Sequence, residues 1–123
     1  IPLTGAVIVT TPQDVALIDA RRAIKMFTEV KVPILGIVEN MSFFTCPHCG
    51  KTTDIFSHGG GEKTGERYCI PFLGQIPIDS QIRETGDAGK PIVEAYPDSP
   101  QTKAFFKIAE KVASGISVLD LKG

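Results

Sequence analysis

The sequence has 123 residues, 42% apolar and 22% charged, with a net charge of −1, which is enough chain for one domain that buries its own core. The near-neutral balance excludes the basic footprint of a nucleic-acid binder or of a polybasic membrane patch, and no apolar run approaches the ~20 residues that span a bilayer. Three cysteines, two of them in a Cys-x-x-Cys pair, do not make a secreted disulfide framework, so the expected compartment is reducing and cytoplasmic.

The first residue is Ile1 rather than Met, and an apolar run begins a few residues on. This is expected either of a piece of a larger protein or of a chain that has lost its initiator Met and a tag. Ala6-Val7-Ile8-Val9 is a β-branched run closed by Thr10-Thr11-Pro12 and reads as a buried parallel strand. From Gln13 the period changes. Leu17, Ala20, Ile24 and Phe27 recur at helical spacing, and Asp14 suits the positive end of the helix dipole. After Pro33, Ile34 to Val38 is a second buried strand, so residues 5–38 form a β-α-β unit.

Residues 43–61 show no period and read as a loop, holding Phe43, Phe44, Cys46, Cys49, His48, His58 and the run Gly59-Gly60-Gly61. A weak helix is expected over Glu62 to Cys69, a third strand over Pro71 to Ile76, and a short polar helical turn around Gln81 to Glu84. Gly86 to Pro97 reads as connection. Asp98-Ser99-Pro100 starts a helix with a capping side chain and an early proline, and Ala104, Phe105, Ile108, Val112 and Ile116 mark its apolar face. Ser117 to Gly123 is left unassigned. Three parallel strands alternating with helices predict an α/β fold, a partial doubly wound parallel sheet.

Three stretches imitate known motifs. Gly50-Lys51-Thr52 ends like a phosphate-binding loop, but the glycine required five places earlier is Thr45, and two cysteines precede it instead of a strand. Gly86-Asp87-Ala88-Gly89-Lys90 is followed by Pro91, which has no hydroxyl for magnesium. Cys46-Pro47-His48-Cys49 spells a dithiol-exchange site, yet Gly50 follows and no amphipathic helix opens there, so the helix dipole that would activate such a thiol is missing.

A Cys-x-x-Cys with Pro inside and Gly after is half of a metal site, and thiolates suit zinc, copper(I) and iron–sulfur clusters. A closed site wants about four protein ligands, and Cys46 and Cys49 are two. A two-fold dimer doubles them with no further sequence. The competing reading is a zinc hairpin completed by His48 or His58. Cys69 reads as a small buried core residue rather than a third ligand.

The assembled stretches resemble the Mrp/ApbC-type family of P-loop ATPases, which carry iron–sulfur clusters and are related to division-site ATPases. They are Gly5 to Asp14, Leu35 to Ser42, Cys46-Pro47-His48-Cys49, His58 to Gly61, Pro71 to Asp79, and Pro97-Asp98-Ser99-Pro100. The resemblance implies a cytoplasmic homodimer joined through the Cys-x-x-Cys region. Cys46 and Cys49 would hold a four-iron, four-sulfur cluster between subunits, with zinc as a substitute, for delivery to apo acceptor proteins. It implies ATP with magnesium as a further cofactor, hydrolysed slowly by the intact protein. Asn40 would lie against the adenine, with Pro77, Ile78 and Asp79 as the opposite wall; a carboxamide pairs a donor and an acceptor with adenine's edge. The family's phosphate loop and magnesium-binding Asp lie N-terminal to the part matched. Residues 1–123 are therefore expected to be a single partial domain, the C-terminal part of a P-loop NTPase domain, inactive as an ATPase alone. A division-type ATPase without metal, and a structural zinc module, are the alternatives.

Overall fold

The computed structural model describes residues 3–57 and 59–122. Strands β1 (Ala6–Thr10), β2 (Ile34–Glu39) and β5 (Phe72–Gln75) form one all-parallel sheet in the order β1-β2-β5. Helix α1 (Asp14–Glu29) links β1 to β2. Between β2 and β5 lie a two-stranded antiparallel hairpin, β3 (Phe44–Thr45) with β4 (Thr52–Thr53), and helix α2 (Gly60–Tyr68). Helices α3 (Ser80–Asp87), α4 (Ile92–Ala95) and α5 (Pro100–Lys122) complete the chain.

The apolar residues of β2 are shared between the two faces of the sheet, and each face is covered. Ile37 joins Ile8, Ala20 and Ile24 on the α1 side, with Tyr68, Ile70 and Phe72 packed around them. Val38 joins Leu73 and Ile76 on the other side, under Ala104, Phe105, Ile108 and Val112 of α5. This is the doubly wound arrangement that all-apolar strands require, since neither face can be left to water. Gly36 belongs to it: a Cβ there would come within 2.3 Å of the Leu73 side chain. Among the described residues β1 pairs only with β2, and Val9 on that strand is exposed.

The structure differs from the expectation in four places, and it assigns the tail that the sequence left open. Residues 43–61 are not a plain loop: they contain the β3–β4 hairpin, and α2 already begins at Gly60. Two-residue strands are too short to show alternation. Gly60 and Gly61 are helical despite their low propensity because α2 packs closely on α1 and the sheet: a Cβ on Gly60 would sit 2.6 Å from Leu17 of α1, and one on Gly61 3.2 Å from both Glu39 and Phe72. The polar turn at Gln81 to Glu84 is a full helix, α3. Gly86 to Pro97 contains α4, whose carbonyl at Tyr96 accepts from the buried Thr102 hydroxyl at 2.7 Å. The tail continues α5 to Lys122. Cys69 is exposed, not core. It caps α2 in the left-handed region (φ 57), so the chain turns and Ile70 packs against the core instead.

The start of α5 is as expected, with Pro100 first and the Ser99 hydroxyl accepting from the Thr102 amide at 3.2 Å. No helix of the described residues is long and apolar enough to cross a membrane.

Candidate metal centre

The chain leaves the C-terminal end of β2 through a tight turn, with Met41 in the left-handed region (φ 52), and rises into the hairpin. Cys46 donates its amide to the Lys51 carbonyl and accepts at its own carbonyl from the Gly50 amide, both at 2.9 Å. The five residues from Cys46 to Gly50 thus form a closed knuckle. Gly50 makes the turn possible: it has φ +74, where other side chains are strained.

Inside the knuckle the Cys46 sulfur is influenced, in order, by the backbone N–H of Cys49, that of His48 and the Cys49 thiol, each of which favours its thiolate. These donors, the Cys49 amide foremost, hold the Cys46 pKa below the usual thiol range, opposed weakly by desolvation. The arrangement suits a thiolate that binds a soft metal, with the negative sulfur already hydrogen-bonded and still accessible. A pH profile of alkylation checks this. Cys46 should reach its plateau rate with iodoacetamide at lower pH than an ordinary exposed thiol, and urea unfolding should return the midpoint upward.

Cys46 is half-buried and Cys49 exposed. Among the described residues no group of three or more His, Cys, Asp and Glu side chains could hold a metal ion. His48 occupies the turn itself, and the other expected zinc ligand, His58, lies outside the described residues. The three imitation motifs take no catalytic geometry. Gly50-Lys51-Thr52 runs from the knuckle into β4, Gly86 to Lys90 leaves the end of α3, and Cys49 is followed by a strand.

The residues expected around a nucleotide lie at the C-terminal ends of the strands, where open α/β sheets bind ligands. They line two separate cavities. Asn40, half-buried, shares one of about 480 Å³ with Thr10, Thr11 and Asp19. Pro77, Ile78 and Asp79 share one of about 510 Å³ with Cys46, Pro47 and Gln101. Asp79 also caps α3, accepting from the Gln81 amide at 2.7 Å, and accepts from the Gln101 carboxamide at 2.5 Å. That leaves the buried Gln101 Oε1 without a partner.

Sequence reasoning missed Gln101, Ser42 and the burial of Glu39. For Glu39 a signal existed: a charge that closes an apolar strand. For Gln101, on the polar side of a helix start, there was none.

The family described as ParA: NUBPL iron-transfer P-loop NTPase matches residues 1–113. The chain is 52% identical over 120 residues to the iron-sulfur cluster transfer protein NUBPL of Dictyostelium discoideum, covering 98% of this chain and 37% of that protein. It is 51% identical over 114 residues to the iron-sulfur cluster carrier protein of Escherichia coli, covering 93% of this chain and 31% of that one. It therefore spans well under half the length of these relatives. Among solved structures it is similar to a nucleotide-binding protein of Archaeoglobus fulgidus in complex with ADP, at 42% identity and TM-score 0.68, over 84% of this chain and 41% of that one. The cell division ATPase MinD of Pyrococcus furiosus matches at 30% identity and TM-score 0.71, over 90% and 43%. The three-stranded sheet with helices on both faces is thus part of a P-loop NTPase fold, and the chain belongs to the NUBPL-type iron-transfer P-loop NTPase family.

Proposed function

We propose that this chain is the cluster-holding part of an iron–sulfur carrier ATPase, in which Cys46 and Cys49 of two subunits together hold one four-iron, four-sulfur cluster as cargo. The observation that carries the reading is the knuckle: two thiols on one closed turn, one of them already supplied with N–H donors, and no further ligand group among the described residues. Half a ligand set on an exposed hairpin fits a site completed by a second copy. Phe44, Ile55 and Phe56 are partly exposed in and just beyond the hairpin, as a contact surface would need.

Delivery is then ligand exchange. An acceptor protein's thiolate forms a bond to iron as a Cys46 or Cys49 sulfur leaves and takes up a proton, with no change of oxidation state. An exposed, shared site lets acceptor thiols reach the metal.

ATP with magnesium would be bound and hydrolysed by the whole protein, with this chain supplying the base side of the nucleotide site. Asn40 and the Pro77–Asp79 segment are the proposed contacts. Support comes from their place at the C-terminal ends of the strands. The residues 1–123 are read as a partial domain, and the whole protein as a cytoplasmic homodimer.

Anaerobic reconstitution of the full-length protein with iron and sulfide tests the cargo. A brown product absorbing near ~400 nm, with about two irons and two sulfides per chain, supports one four-iron cluster per dimer. A colourless protein holding about one zinc per chain, released only on unfolding, supports the structural zinc module instead.

A further inference from the structure

Glu39 ends β2 fully buried. Its carboxylate accepts from the Ser42 hydroxyl at 2.5 Å, from the Gly61 amide at 2.9 Å and, at a long 3.5 Å, from the Gln75 carboxamide. All three donors are neutral. The Gly61 amide belongs to the first turn of α2, where the helix dipole favours negative charge. Among the described residues no cation pairs with Glu39, and a buried carboxylate without one is disfavoured relative to an apolar side chain of the same size, so core stability does not account for it.

Its position does. The bond to Ser42 spans the turn that contains left-handed Met41, a conformation that persists only where the surroundings impose it. The backbone around this turn is tied on both sides. The Asn40 amide donates to Thr10 at the end of β1 (2.7 Å), and the Ile76 amide donates to the Glu39 carbonyl (2.9 Å). The Ser42 amide donates to Ile76 (3.0 Å), and the Ile78 amide to Phe43 (2.7 Å). Beyond Phe43 the chain is the cysteine hairpin. Gly61 completes the clasp: a Cβ there would meet Glu39 Cβ at 3.2 Å and Oε1 at 3.3 Å, so glycine lets the amide approach without displacing Glu39.

We propose that Glu39 is a positioning residue for the cysteine pair: clasped to Ser42 and Gly61, it holds the Met41 turn in the one conformation from which the hairpin presents Cys46 and Cys49 to the shared site. This rests on the reading of the pair as the cluster ligands.

The test uses the full-length protein with Ser42→Ala, which removes one arm of the clasp, and Glu39→Gln, which keeps the shape and removes the charge. In the cluster-free protein, Ser42→Ala should speed hydrogen exchange about tenfold at the amides of Ser42, Cys46 and Ile78 and leave Ala20 and Ile24 of α1 unchanged. In the loaded dimer it should speed iron loss to a chelator severalfold at unchanged initial iron content. Glu39→Gln should move both readouts in the same direction; if it fails to fold, Ser42→Ala alone decides. Exchange that is unchanged at the hairpin root, or that rises equally in α1, overturns the proposal. Should the parent protein take up no cluster, the functional reading falls, and the exchange measurement still decides the role of Glu39.

Discussion

Full-length protein carrying Cys46→Ala and Cys49→Ala together is expected to stay colourless after anaerobic reconstitution, its iron falling from about two per chain to background. Cys46→Ala alone should already prevent stable binding, because a two-fold site then loses two of its four thiolates at once. Folding should be spared. Neither side chain belongs to either apolar cluster, and the knuckle is closed by backbone bonds from Cys46 to Lys51 and from Gly50 to Cys46 that alanine retains. The comparison therefore needs a circular-dichroism melt beside the iron assay. Lost iron with an unchanged melting temperature assigns the ligands. A full cluster retained by the single variant rejects them.

Ile37→Ala should give the largest loss of stability of any single truncation in the sheet. Ile37 has no exposed surface, stands on the central strand, and packs among Ile8, Ala20 and Ile24. Truncation removes three carbons' worth of transfer free energy and leaves a cavity that the flanking strand and α1 cannot fully close, a loss of about 2–5 kcal/mol. Urea unfolding of the cluster-free protein should show a lower midpoint at an unchanged slope. A shift under about 0.5 kcal/mol would mean that the site relaxes freely and that the α1 side of the sheet is not a packed core.

Legibility of the fold followed the length of each pattern. β1, α1 and β2 were readable because Ala6 to Val9 and Ile34 to Val38 are unbroken apolar runs, and Leu17, Ala20 and Ile24 repeat at helical spacing within a helix of 16 residues. The hairpin was not, since Phe44–Thr45 and Thr52–Thr53 are two-residue strands held by pairing with each other and by a bridge from Phe44 to Ile78. α2 was misjudged at its start for the opposite reason. Its glycines read locally as flexible, but contact decides there: Gly65 also lies where a Cβ would approach the Ile70 carbonyl at 2.7 Å. Cys69 was misplaced because a left-handed cap usually falls to Gly or Asn, and nothing in Tyr68-Cys69-Ile70 announces it.

At the site, the Cys46 and Cys49 spacing with Gly50 behind it was enough to propose a metal pair. The sequence did not reveal the hydrogen bonds that prepare the Cys46 sulfur, which depend on the knuckle's closed backbone. Nor did it show that Asn40 and Pro77 to Asp79 face different cavities, because residues 40–43 are folded by contacts with residues far along the chain.

The order in which the ribosome delivers these parts follows from the Ser42–Ile76 pairing. The cysteine hairpin closes over a few residues and can form as soon as it emerges. Its footing waits for a strand about 34 residues later, a delay of roughly two to seven seconds at ordinary translation rates. During that interval both thiols sit on a tethered but unfixed loop, able to take a stray metal ion before the turn at Met41 is fixed. A nascent chain from which Cys49 has emerged but Phe72 has not thus shows its thiols to solvent before their footing exists.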